Sequence, residues 1–443
     1  MTGLAPPRVR GGLPWFGHML SYGRNPYEFV AKVAAEHGEI ASFVMLGQRI
    51  VLLTGAGASD LFYRSPDELL DQSAAYKVMT PIFGEGLLYD ATPQRKDEQL
   101  AMLVPPLRGD AMRDHAPKIS REVRHLTSAW GASGRVDAVT FMQELTINTA
   151  TACLLGPELR YEVNAEFVQL YHDLERAVSP LAYSFPNLPL PKFRRRDAAR
   201  RRLQEIVGDI VRGRRADPTP HTDLLQTLLD MRYADGSPLT ETEIAGILIG
   251  ATFAGHHTSA GTAAWLLIEL LRHPDLLAEA RAEVDGAGEP TFESVRELPI
   301  LDAALKEVLR LHPPIAILMR KVMSDLSFGE YTIAAGDLVW VSPPVSHRLS
   351  EHFPGPDRFE PTRFSAERRE DRSPAYQPFG GGKHRCMGSG FAAFQIKVIF
   401  AELLRRYDFE LVAAPSDYVD DYTQMIVQPK RPSLVAYRHR DLD

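Results

Sequence analysis

Cysteine is nearly missing from this chain: Cys153 and Cys386 are the only two among 443 residues. Two thiols cannot build a disulfide framework, and such scarcity fits a reducing compartment, so a cytoplasmic location is expected. A surplus of positive charge is also lacking. Lys plus Arg number 50 against 57 Asp plus Glu, a net charge of −7, which excludes the basic stripe that nucleic acid demands. The opening MTGLAPPRVRGGLPWFGHML has no apolar run long enough for a signal peptide or a membrane span, so no transmembrane anchor is expected. Its Trp, Pro and Gly residues read as ordered coil laid on the surface. No repeat, low-complexity stretch, or flavin or nicotinamide fingerprint occurs. What is present is an ordinary composition, 44% apolar and 24% charged, able to bury a large core.

Periodicity predicts short helices over 26–37, 56–64 and 93–104, and a strand over QRIVLLTG (48–55). From 115 the pattern becomes steadily helical: 115–130, 138–155, 163–178, 195–214, 222–232 and 241–272. Proline-rich SPLAYSFPNLPLP (179–191) interrupts it, and the basic KFRRRDAARRRLQEIVGDIVRGRR after it reads as a solvated helix face. The stretch 241–272 is preceded by Thr240 with Glu243 in capping-box spacing and stops before Pro274. At 1.5 Å per residue it would span about 48 Å. It is apolar nearly all round, so it is the expected central buried helix. Helices near 274–285, 291–297 and 299–311 follow, then strand-like ILMRKV, FGEYTI and DLVWVSPPV. A coil over 350–383 leads to a helix over 388–406 and to strands and turns over 407–439. The expected fold is mostly alpha with a minor beta region, one domain over 1–443.

The two cysteines sit in unlike surroundings. Cys153, in ELTINTATACLLG, reads as a small buried apolar residue. Cys386 lies in FGGGKHRCMG (379–388), a glycine-rich loop with cationic neighbours immediately before a helix. Glycines let backbone approach a flat cofactor closely, and a helix N-terminus with nearby cations favours a thiolate. A thiolate on haem iron promotes O–O bond cleavage. A lone Cys without partner Cys or His spacing speaks against structural zinc or an iron–sulfur cluster.

With those residues in view, the sequence resembles the cytochrome P450 family along its whole length. Phe379, Gly382, Cys386 and Gly388 match the family's ligand-loop signature, and Glu307, Arg310 and Arg363 resemble its Glu-Arg-Arg structural triad. The resemblance implies haem b buried between the central helix and the loop 379–388, ligated by Cys386, with O2 as co-substrate. Glu307 and Arg310 share one helical face, and Arg363 would bridge to them from the coil. AGHHTSAG (254–261) matches the oxygen-activation stretch. Thr258, beside Ala254 and Gly255, is expected to widen or distort the helix locally and leave a groove for oxygen and water, and His257 is expected to relay protons. His256 is read as a satisfied core histidine.

The double histidine, together with Tyr76-Lys-Val-Met79-Thr-Pro-Ile-Phe83-Gly84 ending at Asp90, is similar to the sterol 14α-demethylases within that family. This likeness implies that Tyr76, Arg320 and His384 reach haem propionates, that Glu175 closes a salt bridge with His257, and that Val78, Met79, Phe83, Ala254, Ile315, Ala316, Ile317, Leu318 and Met425 shape the sterol cavity. The helix starting TPQRKDEQLAMLVPPLRG departs from the pattern: Asp97 stands where a lysine belongs, no histidine follows, and Pro105-Pro106 break the helix. Lys96 is the candidate to take over one propionate contact. Val78 is small for its position, leaving room for a bulky substituent at sterol C4.

The implied reaction is three oxidations of the 14α-methyl group, each using one O2 and two electrons, ending in formate and a Δ14 sterol. Electrons would come from a ferredoxin or flavodoxin with its reductase, docking near Lys383 and Arg385. The segment 179–191 is read as a substrate-entry loop or a weak membrane-surface contact, and the chain as a monomer. Two other functions fit the same signals: hydroxylation of another terpenoid or lipid without carbon–carbon cleavage, and haem-based ligand binding without turnover.

Overall fold

The capping box at Thr240 forms in the computed structural model, which describes residues 3–440 except 179–181, 184, 218 and 220. Thr240 Oγ1 accepts the Glu243 N–H at 3.2 Å, and Glu243 Oε2 accepts the Thr240 N–H at 2.8 Å. The helix they start runs unbroken from Glu241 to Arg272, the predicted bounds, and is buried along most of its length. Helices Ala138–Ala150, Pro191–Ala216 and Pro299–Leu311 pack against it. Small residues let neighbours come close. A Cβ on Gly246 would lie 2.2 Å from the Phe83 carbonyl oxygen, so the turn Thr80–Phe83 rests directly on the helix backbone.

Mostly helical architecture with a minor beta region is thus what the sequence specifies. A five-stranded sheet orders Ile40–Met45, Gln48–Leu53, Leu338–Val341, Leu318–Val322 and Leu70–Asp71, with one parallel pairing, between Gln48–Leu53 and Leu338–Val341. Pairing Arg320 with Val339 fixes which strand residues turn inward. The second strand-like run, FGEYTI, is instead a hairpin, Leu326–Phe328 with Tyr331–Ile333, because Gly329 turns the chain at φ +56°. Segment Gly382–Arg406 is long and apolar enough to cross a membrane, but 67% of its apolar window is buried inside the fold, as a core helix requires.

Several boundaries moved for local reasons. The helix expected over 93–104 stops at Met102, and Pro105–Leu107 make a tight turn. Regular helix ends at Ala150, and Thr151–Leu155 form a wider turn closed by Gly156 at φ +105°. The helix expected over 291–297 is a single turn, Ser294–Glu297. The basic helix is not only a solvated face. Arg214 is buried and forks to Glu158 and Asp223 at 2.6–2.9 Å, while buried Arg196 donates to the Pro186 carbonyl at 2.8 Å. Of the proline-rich segment 179–191, residues 179–181 and 184 lie outside the described residues.

The coil before the cysteine is tied down by charge. Arg310 donates to the carbonyls of His347, Pro356 and Arg358 at 2.7–3.0 Å while also pairing with Glu307. Arg363 reaches Glu307 Oε1 from that coil at 3.2 Å. Each buried donor therefore has an acceptor, which is the condition for keeping two guanidinium groups inside the fold.

Candidate active site

The loop carrying Cys386 is held against helix Gly55–Arg64. A Cβ on Gly382, at φ +61°, would come 1.9 Å from the Tyr63 carbonyl oxygen, so only glycine fits there. Cys386 N–H donates to the Phe379 carbonyl at 2.9 Å, and its sulfur accepts from the N–H groups of Gly388 and Ser389 at the start of helix Ser389–Arg406. Cys386 is accessible by surface area yet crowded by protein atoms. Burial pushes the thiol up, outweighing the two N–H groups and the Arg385 charge. The helix N-terminus and Arg385 act in the direction expected, and the burial that outweighs them is what the sequence does not display. Cys153, as expected, is fully buried.

In the central helix Ala254 is exposed amid buried neighbours, and a Cβ on Gly255 would meet open space. Thr258 Oγ1 donates to the Ala254 carbonyl at 2.8 Å. The expected distortion is absent, since this bond adds to an unbroken helix. Room at this level comes from the small side chains, and Thr258 presents its hydroxyl oxygen as an acceptor.

Cations gather around Asp67, which the sequence reading missed. His384 Nε2 lies 2.5 Å from Asp67 Oδ1, and Lys383 lies 3.4 Å from Asp67 Oδ2. Burial raises the Asp67 carboxyl, but the His384 hydrogen bond and the charges of Lys96 and Lys383 outweigh it and leave the group below its usual value. Lys96 and Arg320 are both buried, and burial lowers the pKa of each. Lys96 Nζ donates to Ser73 Oγ at 3.1 Å and Arg320 Nη1 to the Ser65 carbonyl at 3.1 Å, one hydrogen bond apiece among the described residues. An ammonium has three donors and a guanidinium five. Such a donor set, richer in charge and N–H groups than its acceptors, fits a cofactor with two carboxylates. Asp97 points away, to Lys383 at 3.2 Å.

Tyr76 joins the same region. Its hydroxyl accepts the Met319 N–H at 3.3 Å, and its ring stacks on Tyr89 at 5.4 Å, which stacks on Phe83 at 6.1 Å. Tyr89, also missed, feels the Cys386 charge and lies under Lys96 Nζ at 5.6 Å. Tyr76, Lys96, Arg320 and His384 are therefore neighbours of one cluster, with Tyr89 and Asp67 between them. The signal for Tyr89 was its place in the aromatic segment 76–90; Asp67 had none.

A cleft of about 1140 Å³ is lined by Ile315, Ala316, Ile317 and Met425, together with Glu175, His257 and Gln143. Val78, Met79, Phe83, Ala254 and Leu318 do not line it: the first three are packed in the core, with Phe83 edge-on to Phe253 at 5.8 Å. Glu175 and His257 form an ion pair at the cleft wall. Burial raises the Glu175 carboxyl, but the three imidazoles around it, those of His172, His256 and His257, outweigh it and hold the group far below the usual carboxylate range. His256 is buried and bonded through Nε2 to the Gln143 carbonyl at 3.0 Å, but its Nδ1 has no partner, so it is not the satisfied core histidine expected.

Comparison with known proteins follows this geometry. A family model described as Cytochrome P450 matches residues 6–436. A sterol 14alpha-demethylase of Mycolicibacterium vanbaalenii is 44% identical over 447 residues, 99% of this chain and 98% of its own. That of Mycobacterium tuberculosis is 43% identical, covering 99% of each chain. Lanosterol 14-alpha demethylase of Homo sapiens is 38% identical over 98% of this chain and 87% of its own. Among solved structures, retinoic acid bound cyanobacterial CYP120A1 matches with a TM-score of 0.87 at 24% identity, over 99% of this chain and 100% of that one, a likeness of fold.

Proposed function

Because the chain belongs to the cytochrome P450 family, we propose that it is a sterol 14α-demethylase, removing the 14α-methyl group as formate in three O2-dependent oxidations. The observation that carries this reading is near-full-length identity of 44% to a demethylase, and the Glu175–His257 pair beside Thr258 on an apolar cleft agrees with it. Haem held through a cysteine thiolate supplies the O–O bond cleavage that no side chain here can perform. Cys386 would ligate the iron; coordination deprotonates a thiol outright, which answers the burial penalty on the free sulfur. Lys96, Arg320, His384 and Tyr76 would hold the two propionates.

The remaining work falls to this chain's own groups. Ile315, Ala316, Ile317 and Met425 bind the sterol by apolar area, since a rigid polycyclic substrate needs few polar contacts for orientation. Ala254 and Leu318 extend that wall, and Val78, Met79 and Phe83 back it from the core. Thr258, its own proton on the Ala254 carbonyl, offers its hydroxyl oxygen as the acceptor that orients a proton-bearing group beside Ala254 and Gly255, and His257 passes protons inward from the cleft, released or retained by Glu175. Each round consumes one O2 and two electrons, and the methyl carbon passes through alcohol and aldehyde before leaving as formate with a Δ14 double bond.

Electrons come from a ferredoxin or flavodoxin with its reductase. Exposed Arg385, next to Cys386, is the charge for docking; Lys383 is already engaged by Asp67 and Asp97. The protein works in the cytoplasm as a monomer, and exposed Phe185 and Leu188 of the segment 179–191 touch a membrane surface weakly. The test is incubation of the haem-loaded protein with lanosterol, eburicol and obtusifoliol, a surrogate ferredoxin system and a formate assay. Formate with a Δ14 sterol is expected. Hydroxylated sterol without formate, or no sterol binding, would move the function to hydroxylation of another terpenoid or lipid.

A further inference from the structure

Three histidines crowd one carboxylate on the cleft side of the central helix. His172 Nδ1 lies 3.0 Å from Glu175 Oε2, His257 Nε2 is paired with Glu175 Oε1, and His256 Nδ1 stands 3.7 Å from that same Oε1. His256 is 1% exposed, and its Nε2 is spent on the Gln143 carbonyl at 3.0 Å. That bond keeps the ring proton on Nε2, so Nδ1 offers a lone pair. Nothing donates to it. Two acceptors, a bare imidazole nitrogen and a carboxylate oxygen, therefore face each other in a buried place, an arrangement that repels unless a cation lies between them.

We propose that Glu175, His256 and His257 form a binding site for a divalent transition-metal ion, zinc matching best, whose occupation shuts the proton path from the cleft. The candidate ligand atoms of these three residues all lie within 4.8 Å of one another. Bonds of about 2.0–2.1 Å in a tetrahedral site place ligand atoms roughly 3.4 Å apart, so side-chain shifts of about 1 Å complete the set. Two imidazoles and a carboxylate suit zinc among the biological cations, and magnesium and calcium, which prefer oxygen ligands, poorly. The surroundings are also those of a metal-bound imidazole: the distal nitrogen of His256 is anchored on a backbone carbonyl, and the Gln143 amide lies 3.3 Å from His257 Nδ1. On binding, His257 turns its Nε2 from Glu175 to the ion, carries its proton on Nδ1 and donates it to the turned Gln143 amide. Entry is open, because Glu175 and His257 both line the cleft. Water takes the fourth position.

Binding itself is independent of the reaction assigned above; its inhibitory effect rests on that reading, through the proton relay of His257 and Glu175. Zinc alone is titrated into chelator-treated, haem-loaded protein by equilibrium dialysis. One ion per chain is expected at this site, with affinity at least tenfold weaker in His256→Gln and in Glu175→Gln and unchanged in His125→Gln, a surface control. Zinc-edge X-ray absorption on the unmodified protein should show two imidazoles and a carboxylate oxygen, and needs no variant to fold. Equal affinity in all variants, a sulfur ligand at zinc, or no binding up to about 1 mM would overturn the site. Zinc should also slow sterol turnover while magnesium does not. Zinc bound at these ligands without effect on an active demethylase would overturn the shut path, and tight zinc binding by a protein that demethylates nothing would defeat the demethylase reading alone.

Discussion

Arg310 and Glu307 meet as a two-pronged pair with no accessible surface on either side chain, Nε to Oε2 at 2.7 Å and Nη2 to Oε1 at 2.9 Å. Arg363 shares the same carboxylate. Substituting Glu307→Gln leaves buried Arg310 without a counter-charge, whereas Arg363 keeps Glu360 and Glu370, a change expected to cost about 3–5 kcal/mol. Thermal unfolding should record the loss, and haem occupancy should fall with it, because Arg310 also pins the coil that leads to Cys386.

Lys96 and Asp97 separate cleanly. Lys96→Met removes a buried ammonium from the Asp67 cluster and should lower haem retention on gel filtration by roughly tenfold or more, the scale of losing one partner of a desolvated charge pair. Asp97→Asn touches only the exposed link to Lys383 and should leave retention within a factor of two.

Replacing Cys386 by serine should abolish the thiolate signature of the reduced carbon monoxide complex. Circular dichroism should still report a folded helical chain, since the side chain contributes little packing.

Thr258→Ala should keep normal haem spectra and keep consuming electrons, while product per electron falls by on the order of 10²-fold, the usual contribution of a side chain placed for proton transfer. Coupled turnover at the parental level in this variant would take Thr258 out of the reaction.

A pH effect arises at His312, which stacks on Trp265 at 3.8 Å between Asp420 at 2.9 Å and Glu269 at 3.4 Å. Burial lowers the imidazole pKa, but the two carboxylates outweigh it and the net shift is upward. A raised folded-state value means that stability from this group is fully present below its unfolded pKa of about 6.5 and is lost as pH rises through the folded value. The melting-temperature gap between the parent and His312→Gln should therefore be widest below about pH 6 and narrow in alkaline buffer.

How far the sequence could be read differs by residue. Both ends of helix Glu241–Arg272 were legible because a local capping box and a proline mark them. Glu307 and Arg310 were legible through the family resemblance, since a Glu and an Arg three apart on one helix say little alone. Asp67 was not, since its partner His384 is 317 residues away and nothing local announces the pairing. Gln143, 113 residues before His256, and His312, which reads as one more core position, were hidden likewise. The thiol of Cys386 shows a different limit: neighbouring charges can be counted in a sequence, but the desolvation that outweighs them exists only once the chain is folded.

At Gly246 the Phe83 carbonyl occupies the place where a side chain would begin. Anyone redesigning this protein for bulkier substrates inherits that junction as a fixed hinge pin: pocket wall and central helix shift together, and position 246 tolerates no substitution. Libraries should instead vary Ile315, Ile317 and Met425, which line the cleft away from that junction.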